Sequence, residues 1–184
     1  MKLSSSKTVN AKKQPRQNRS KALGRERLRR QYLPSCVRIL FVGEAPPASG
    51  RFFYQADSGL YRAIRATFIR AFPQMKRADF LRAFRDRGCY LVDLCGRPVD
   101  RLLPKSRKRA CAAGEVSLSR LIRQLRPSAM VTLVRSIESN VRRANQRAEW
   151  KGEHLEVPYP GRWQRHRIEF DKQLVRFLRR LQFD

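Results

Sequence analysis

The chain has 184 residues, 41% apolar and 31% charged, with 42 Lys and Arg against 15 acids and a net charge of +27. That length suits one domain, or one domain with a tail. A mean hydropathy of −0.62, with no apolar run near the ~20 residues of a membrane span, argues against a membrane-spanning protein. A compact domain at this charge repels itself, so a polyanionic partner is expected, nucleic acid first and an anionic membrane surface second. Arg-favouring codon usage is the alternative source of the excess, and it would leave the same adhesive surface. The basic N-terminus has no apolar h-region. The expected location is therefore cytoplasmic (nucleoid-associated) or nuclear, not secreted. Four cysteines, Cys36, Cys89, Cys95 and Cys111, include no C-x-x-C pair, and the histidines are His154 and His166 alone. Disulfides are not expected in such a compartment, nor is a metal site built on the usual spacings.

In chain order, residues 1–33 form a separate zone, dense in Lys and Arg and almost without apolar periodicity. This basic tail is expected to be disordered when free, with KALGRERLRRQYL able to form a short helix on contact. Residues 34–184 should form the folded domain. VRILFVG (37–43) is a continuous apolar run ending in Gly, which suits a buried strand. SGLYRAIRATFIRAF (58–72) carries Leu60, Ile64, Phe68 and Phe72 at helical spacing, with Ser58 as N-cap. ADFLRAFRDRG (78–88) reads as a short helix closed by Gly88, and CYLVDLC (89–95) as a second strand. A basic loop, GRPVDRLLPKSRKR, should follow, then an amphipathic helix over 111–127 that stops at Pro127. SAMVTLV (128–134) gives a third strand, 136–148 a helix, HLEVPYP (154–160) a fourth strand, and QRHRIEFDKQLVRFLRRL a final helix. Apolar strands alternating with helices predict a three-layer α/β/α domain around a central four-stranded parallel sheet. Its ligand site should lie at the carboxyl ends of the strands, near a topological switch point.

The loop after the first strand is the stretch GEAPPASGRFFY (43–54). It holds neither G-x-G-x-x-G nor a Walker pattern. Pro46 and Pro47 stiffen it, and Arg51 stands beside Phe52, Phe53 and Tyr54. Rings next to a guanidinium suit a nucleobase and its phosphate. The same rings read equally well as core.

These segments resemble a known family. GEAP (43–46) is similar to the first motif of the uracil-DNA glycosylase superfamily, most like the G-E-A-P-G of its iron–sulfur-containing class. GRFFYQADSGLYRAI (50–64) resembles that class's G-R-P-F-V-G stretch and the helix after it. YLVDLCGRPV (90–99) and KSRKRACAAGEVSLSRLIRQLRPSAMVTL (105–133) resemble its third and fourth segments, and Cys95 and Cys111 are spaced as its cysteines are. The likeness spans roughly residues 37–182. It implies base flipping into a pocket at the strand ends, formed by Gly43, Glu44, Ala45, Pro46, Phe53, Asp93 and Val157, with Phe53 as the stacking ring. It also implies a second motif, here VPYPGRW (157–163), in which Val157 stands where the family has a histidine. The family's upstream C-x-x-C is missing and Cys36 cannot replace the pair, so no iron–sulfur cluster and no other cofactor are expected.

The chemistry then falls to other residues. Asp57 can cap a helix or orient water, His166 can face solvent or fold back to the pocket, and Glu44 can bind a base edge or a structural amide. These three are the catalytic candidates. Phosphate contacts are expected from Arg51, from the cluster Lys105, Arg107, Lys108 and Arg109, and from Arg162 and Arg165 around a wedge-like Trp163. Three readings follow: a glycosylase that excises a damaged base, a non-catalytic binding module on the same fold, and a basic packaging or ribosome-associated protein. DNA is the expected partner, with RNA as an alternative and no membrane, and a monomer is expected.

Overall fold

The computed structural model describes residues 13–77 and 79–181. The chain forms two compact units, 1–31 and 32–184. The first holds helix α1, Lys13–Arg30. Its span starts ahead of the short helix predicted within KALGRERLRRQYL. Near its C-terminal end Glu26 pairs with Arg29 and Arg30 one turn on. Residues 1–12 of the expected tail lie outside the described residues.

The second unit is an α/β domain. Its strands are β1 (Ile39–Gly43), β2 (Cys89–Asp93), β3 (Ala129–Thr132) and β4 (Glu153–Glu156). They form one sheet in the order β2-β1-β3-β4, with every pairing parallel. β1 and β3 are wholly buried, as expected for near-continuous apolar strands covered on both faces, with Thr132 the buried polar residue of β3. The helices are α2 (Gly59–Ala71), α3 (Phe80–Asp86), α4 (Pro104–Leu125), α5 (Glu138–Arg147) and α6 (Gln164–Arg180). α2 packs on α6 and α3 on β2, while α4 packs on α5. The chain steps from β1 outward to β2, then back past β1 to β3 and on to β4. Right-handed crossovers in opposite directions put the two helix groups on opposite faces.

Local signals account for the element ends. Ser58 caps α2, its Oγ accepting from Tyr61 N at 3.1 Å. Gly88 closes the turn after α3 with φ of 71°, where a Cβ would meet the Cys36 carbonyl at 2.9 Å. Arg126, in the left-handed region, ends α4 just before Pro127. The expected loop over 97–109 is shorter than predicted: α4 starts at Pro104, so Lys105, Arg107, Lys108 and Arg109 ride on its first turns. Proline at the first helical position loses no hydrogen bond, because that N–H has no intrahelical partner in any case.

Candidate functional site: a cavity at the carboxyl ends of the sheet

A cavity of about 440 Å³ opens where all four strands end. The switch of chain direction between β1 and β3 creates it, since the loops leaving these neighbours part to opposite faces. After β1 the wall is Gly43, Glu44, Ala45, Pro46 and Pro47, followed by Arg51, Phe52 and Phe53. β2 supplies Leu91 and Asp93, and the chain beyond it supplies Val99 and Asp100. β3 leads to Leu133 and Val134, β4 to Tyr159, and α4 contributes Arg107.

Two glycines let these parts close up. A Cβ on Gly43 would stand 2.8 Å from Asp93 Oδ1, so the bare backbone is what admits the Asp93 carboxylate beside β1. On α4, a Cβ at Gly114 would collide with the Leu94 carbonyl. The helix therefore rests directly on the end of β2 and brings its first turns to the cavity. Asp100 Oδ2 accepts from Ala48 N at 3.3 Å, tying the loops after β1 and β2 together.

Glu44 and Arg107 form a side-on pair. Arg107 Nε donates to Glu44 Oε1 at 2.6 Å and Nη2 donates to Oε2. These hydrogen bonds raise the Arg107 pKa, with the Glu44 charge adding to them. The Cys111 thiol lies 3.8 Å from Glu44 Oε1 and 3.8 Å from Cys95 Sγ. Burial, and then Cys111, push the Cys95 thiol up to about 12, and burial also pushes up Cys111. Burial thus disfavours the thiolate at both positions. Cys89 opens β2 and Cys95 lies two residues beyond its end, and Cys36 is exposed. Across a strand of this length, ~3.3 Å per residue, the four sulfurs do not converge, and the residues present do not fit a four-cysteine cluster. Among the described residues, no group of three or more His, Cys, Asp or Glu is placed to hold a metal ion.

The aromatic loop is braced from beneath. Phe53, Tyr54 and Gln55 make one 3-10 turn, ended by Ala56 in the left-handed region. Asp57 Oδ1 accepts from Phe52 N at 2.7 Å and so fixes the loop. The Tyr54 hydroxyl accepts from Leu91 N at 2.7 Å and reaches Leu91 O at 3.1 Å, satisfying the outer edge of β2. Phe53 forms part of the cavity wall yet is 3% exposed. Its ring meets Tyr54 at 5.0 Å, Phe84 at 5.4 Å and Tyr61 at 5.9 Å.

Of the residues expected in the pocket from sequence, Gly43, Glu44, Ala45, Pro46, Phe53 and Asp93 meet there, joined by Arg51 and Arg107 from the expected phosphate contacts. Val157 does not join them. It is fully buried, and its N donates to Thr132 O at 2.9 Å, extending the β3–β4 ladder. Asp57 and His166 also lie off the cavity wall. His166 sits in the first turn of α6, its N donating to Trp163 O at 3.1 Å. Lys105, Lys108, Arg109, Arg162 and Arg165 are all exposed at the surface. Trp163 is 58% exposed, with the Arg162 guanidinium 5.6 Å from its ring. The sequence reading missed Tyr159 and Asp100. Tyr159 had a visible signal, being two residues past Val157 at a strand's carboxyl end.

A parallel sheet whose four strand ends converge on one partly apolar, charge-lined cavity places the protein among the open α/β domains. The family model described as the Uracil DNA glycosylase superfamily matches residues 30–182, and the chain belongs to that superfamily. A comparison with curated proteins finds no match.

Proposed function

We infer that this protein binds DNA, takes a base turned out of the strand into the cavity, and hydrolyses the N-glycosidic bond of a damaged base. The observation that carries this is the convergence of Arg51, Arg107, Asp93 and the rings of Phe52, Phe53 and Tyr159 on one cavity at the sheet's carboxyl end. Its volume falls within the ~300–1,000 Å³ common for small-molecule sites. Flat rings and guanidinium groups recognise a flipped base by stacking and by hydrogen bonds to its edge. Lys105, Lys108, Arg109, Arg162 and Arg165 supply phosphate contacts in numbers suited to a molecule of +27. Superfamily membership supports the same reading.

A second reading is a non-catalytic nucleic-acid-binding module on this fold. What favours it is that Asp57, His166 and Val157 all lie off the cavity wall, leaving it without an imidazole. One experiment separates the two. The protein is incubated with oligonucleotides carrying uracil, hypoxanthine, xanthine or an alkylated base, and abasic sites are scored after alkali. A glycosylase releases at least one of these bases. Tight binding with no release from any of them selects the binding module, and neither binding nor release overturns both.

A further inference from the structure

We propose that Arg107 receives the negative charge of the departing base, so that a guanidinium held by Glu44 serves as the cavity's anion-stabilising group. This rests on the glycosylase reading of the same cavity and names the residue that would make the reaction possible. When the C1′–N bond breaks heterolytically, its electron pair stays with the base and spreads to the ring carbonyl oxygens. Water adds its oxygen to C1′ and gives up a proton, and a proton ends on the base nitrogen. The reaction consumes one water and leaves no charge behind. Its costly moment is the base anion in a partly apolar cavity, where a fixed cationic donor is worth far more than in water.

Among the described residues, two cations line the cavity, Arg51 and Arg107. Arg51 is on the exposed loop before the aromatic turn. Arg107 is held rigidly, because Glu44 takes the Nε and Nη2 hydrogen atoms of one edge and leaves the Nη1 edge outside that pair. Such side-on pairing fixes the plane of the fork, which pre-organises the remaining donors. The residue also lies in the first turns of a 22-residue helix, at the end whose dipole favours an anion. Neither imidazole of the chain reaches the cavity wall, and Val157 has no donor to offer. A guanidinium keeps its charge across the working pH range. Activity carried by Arg107 should therefore show no loss on the deprotonation of a group near the ordinary histidine value of about 6.5.

The test uses the full chain and free 5-fluorouracil, whose ring N–H ionises at lower pH than that of uracil. Three proteins are compared: wild type, Arg107→Lys, and the double variant Arg107→Met with Glu44→Gln. The double variant removes both charges together, so no unpaired carboxylate is left to repel the ligand. Calorimetric affinity in the wild type should rise about tenfold as the ligand ionises, a difference of about 1.4 kcal/mol. The double variant should lose that rise and the lysine variant should keep part of it. Single-turnover release from oligonucleotides gives a second readout. The double variant should lose more rate on uracil than on 5-fluorouracil, because the better leaving group needs less stabilisation. A wild type indifferent to ligand ionisation, or unable to bind the anion at all, overturns the proposal, as does a double variant that keeps the rise. So does an unchanged 5-fluorouracil profile accompanied by a salt slope for duplex binding lower by about one, which would make Arg107 a phosphate contact. If the wild type releases no base, the glycosylase reading fails by itself, and the calorimetric arm still decides the role of Arg107. Should the double variant not fold, as judged by its thermal transition, Arg107→Lys decides, since a retained charge must retain part of the rise.

Discussion

Phe53 illustrates how one side chain can be both wall and core. It faces the cavity on one side and three aromatic rings on the other. Removing it leaves a void those rings cannot fill, so Phe53→Ala should lower stability by about 3–5 kcal/mol. Urea unfolding with an unchanged m-value is the measurement, and a variant as stable as wild type would make the ring a free stacking surface instead. The sequence made the run of rings visible without saying which way each would face. That depends on the left-handed turn at Ala56 and on the Asp57 carboxylate that holds Phe52 N. Glu44 was legible as a site residue from its place after β1. Its partner was not, because Arg107 lies 63 residues away and is one of several cations in a basic run.

At the scale of elements, β4 and α4 each contribute to the molecule's sensitivity to acid. The imidazole of His154 meets Thr132 Oγ1 at 2.8 Å, lies edge-on to Trp150, and has Glu156 at 3.9 Å, itself paired with Arg142. Burial is the largest influence and holds the His154 pKa below its ordinary value, with Glu156 opposing. The unfolded chain takes up this proton near pH ~6.5 while the folded protein does not. Stability should therefore decline as pH falls through about 6.5, until the folded imidazole also charges. Glu115 acts in the same direction at lower pH. Arg143 first, and Asn140 with it, hold its carboxyl below the usual range by hydrogen bonds, against the opposing effect of burial. Its contribution is present above the unfolded carboxyl value and is lost as pH falls through the folded one. His154→Gln should flatten the thermal stability profile around pH ~6 and leave the lower limb in place. An unaltered profile would remove His154 from the account. α4 shows why element boundaries were harder to read than element types. Its first turns are all polar or basic and carry no apolar period, so only Pro104 marked the start.

For the molecule as a whole, charge and topology were the readable parts. Continuous apolar strands between amphipathic helices require a covered parallel sheet, and the handedness of crossovers leaves few strand orders. The site's composition was less readable, because it depends on which loops the direction switch throws together. Tyr159 and Asp100 enter by that route. The unit 1–31 should act through charge. Deleting residues 1–33 should weaken duplex binding and make its salt dependence shallower, by about 0.9 in the log–log slope for each phosphate the tail no longer neutralises. Titrations at several salt concentrations measure this, and an unchanged slope would remove the tail from DNA binding.

The placement of the four sulfurs gives the protein its own reporter of unfolding. Cys36 is exposed while Cys89, Cys95 and Cys111 are buried, and burial is the chief cause holding each of those three thiols protonated. An alkylating reagent should add one mass increment quickly, at Cys36, and the rest only as the sheet opens. The spacing in time between the first adduct and the third, followed by intact-mass spectrometry, then reads out how often the end of β2 comes apart from α4. Cys95 and Cys111 sit on the two sides of that seam, so an opening confined to it would label both while sparing Cys89.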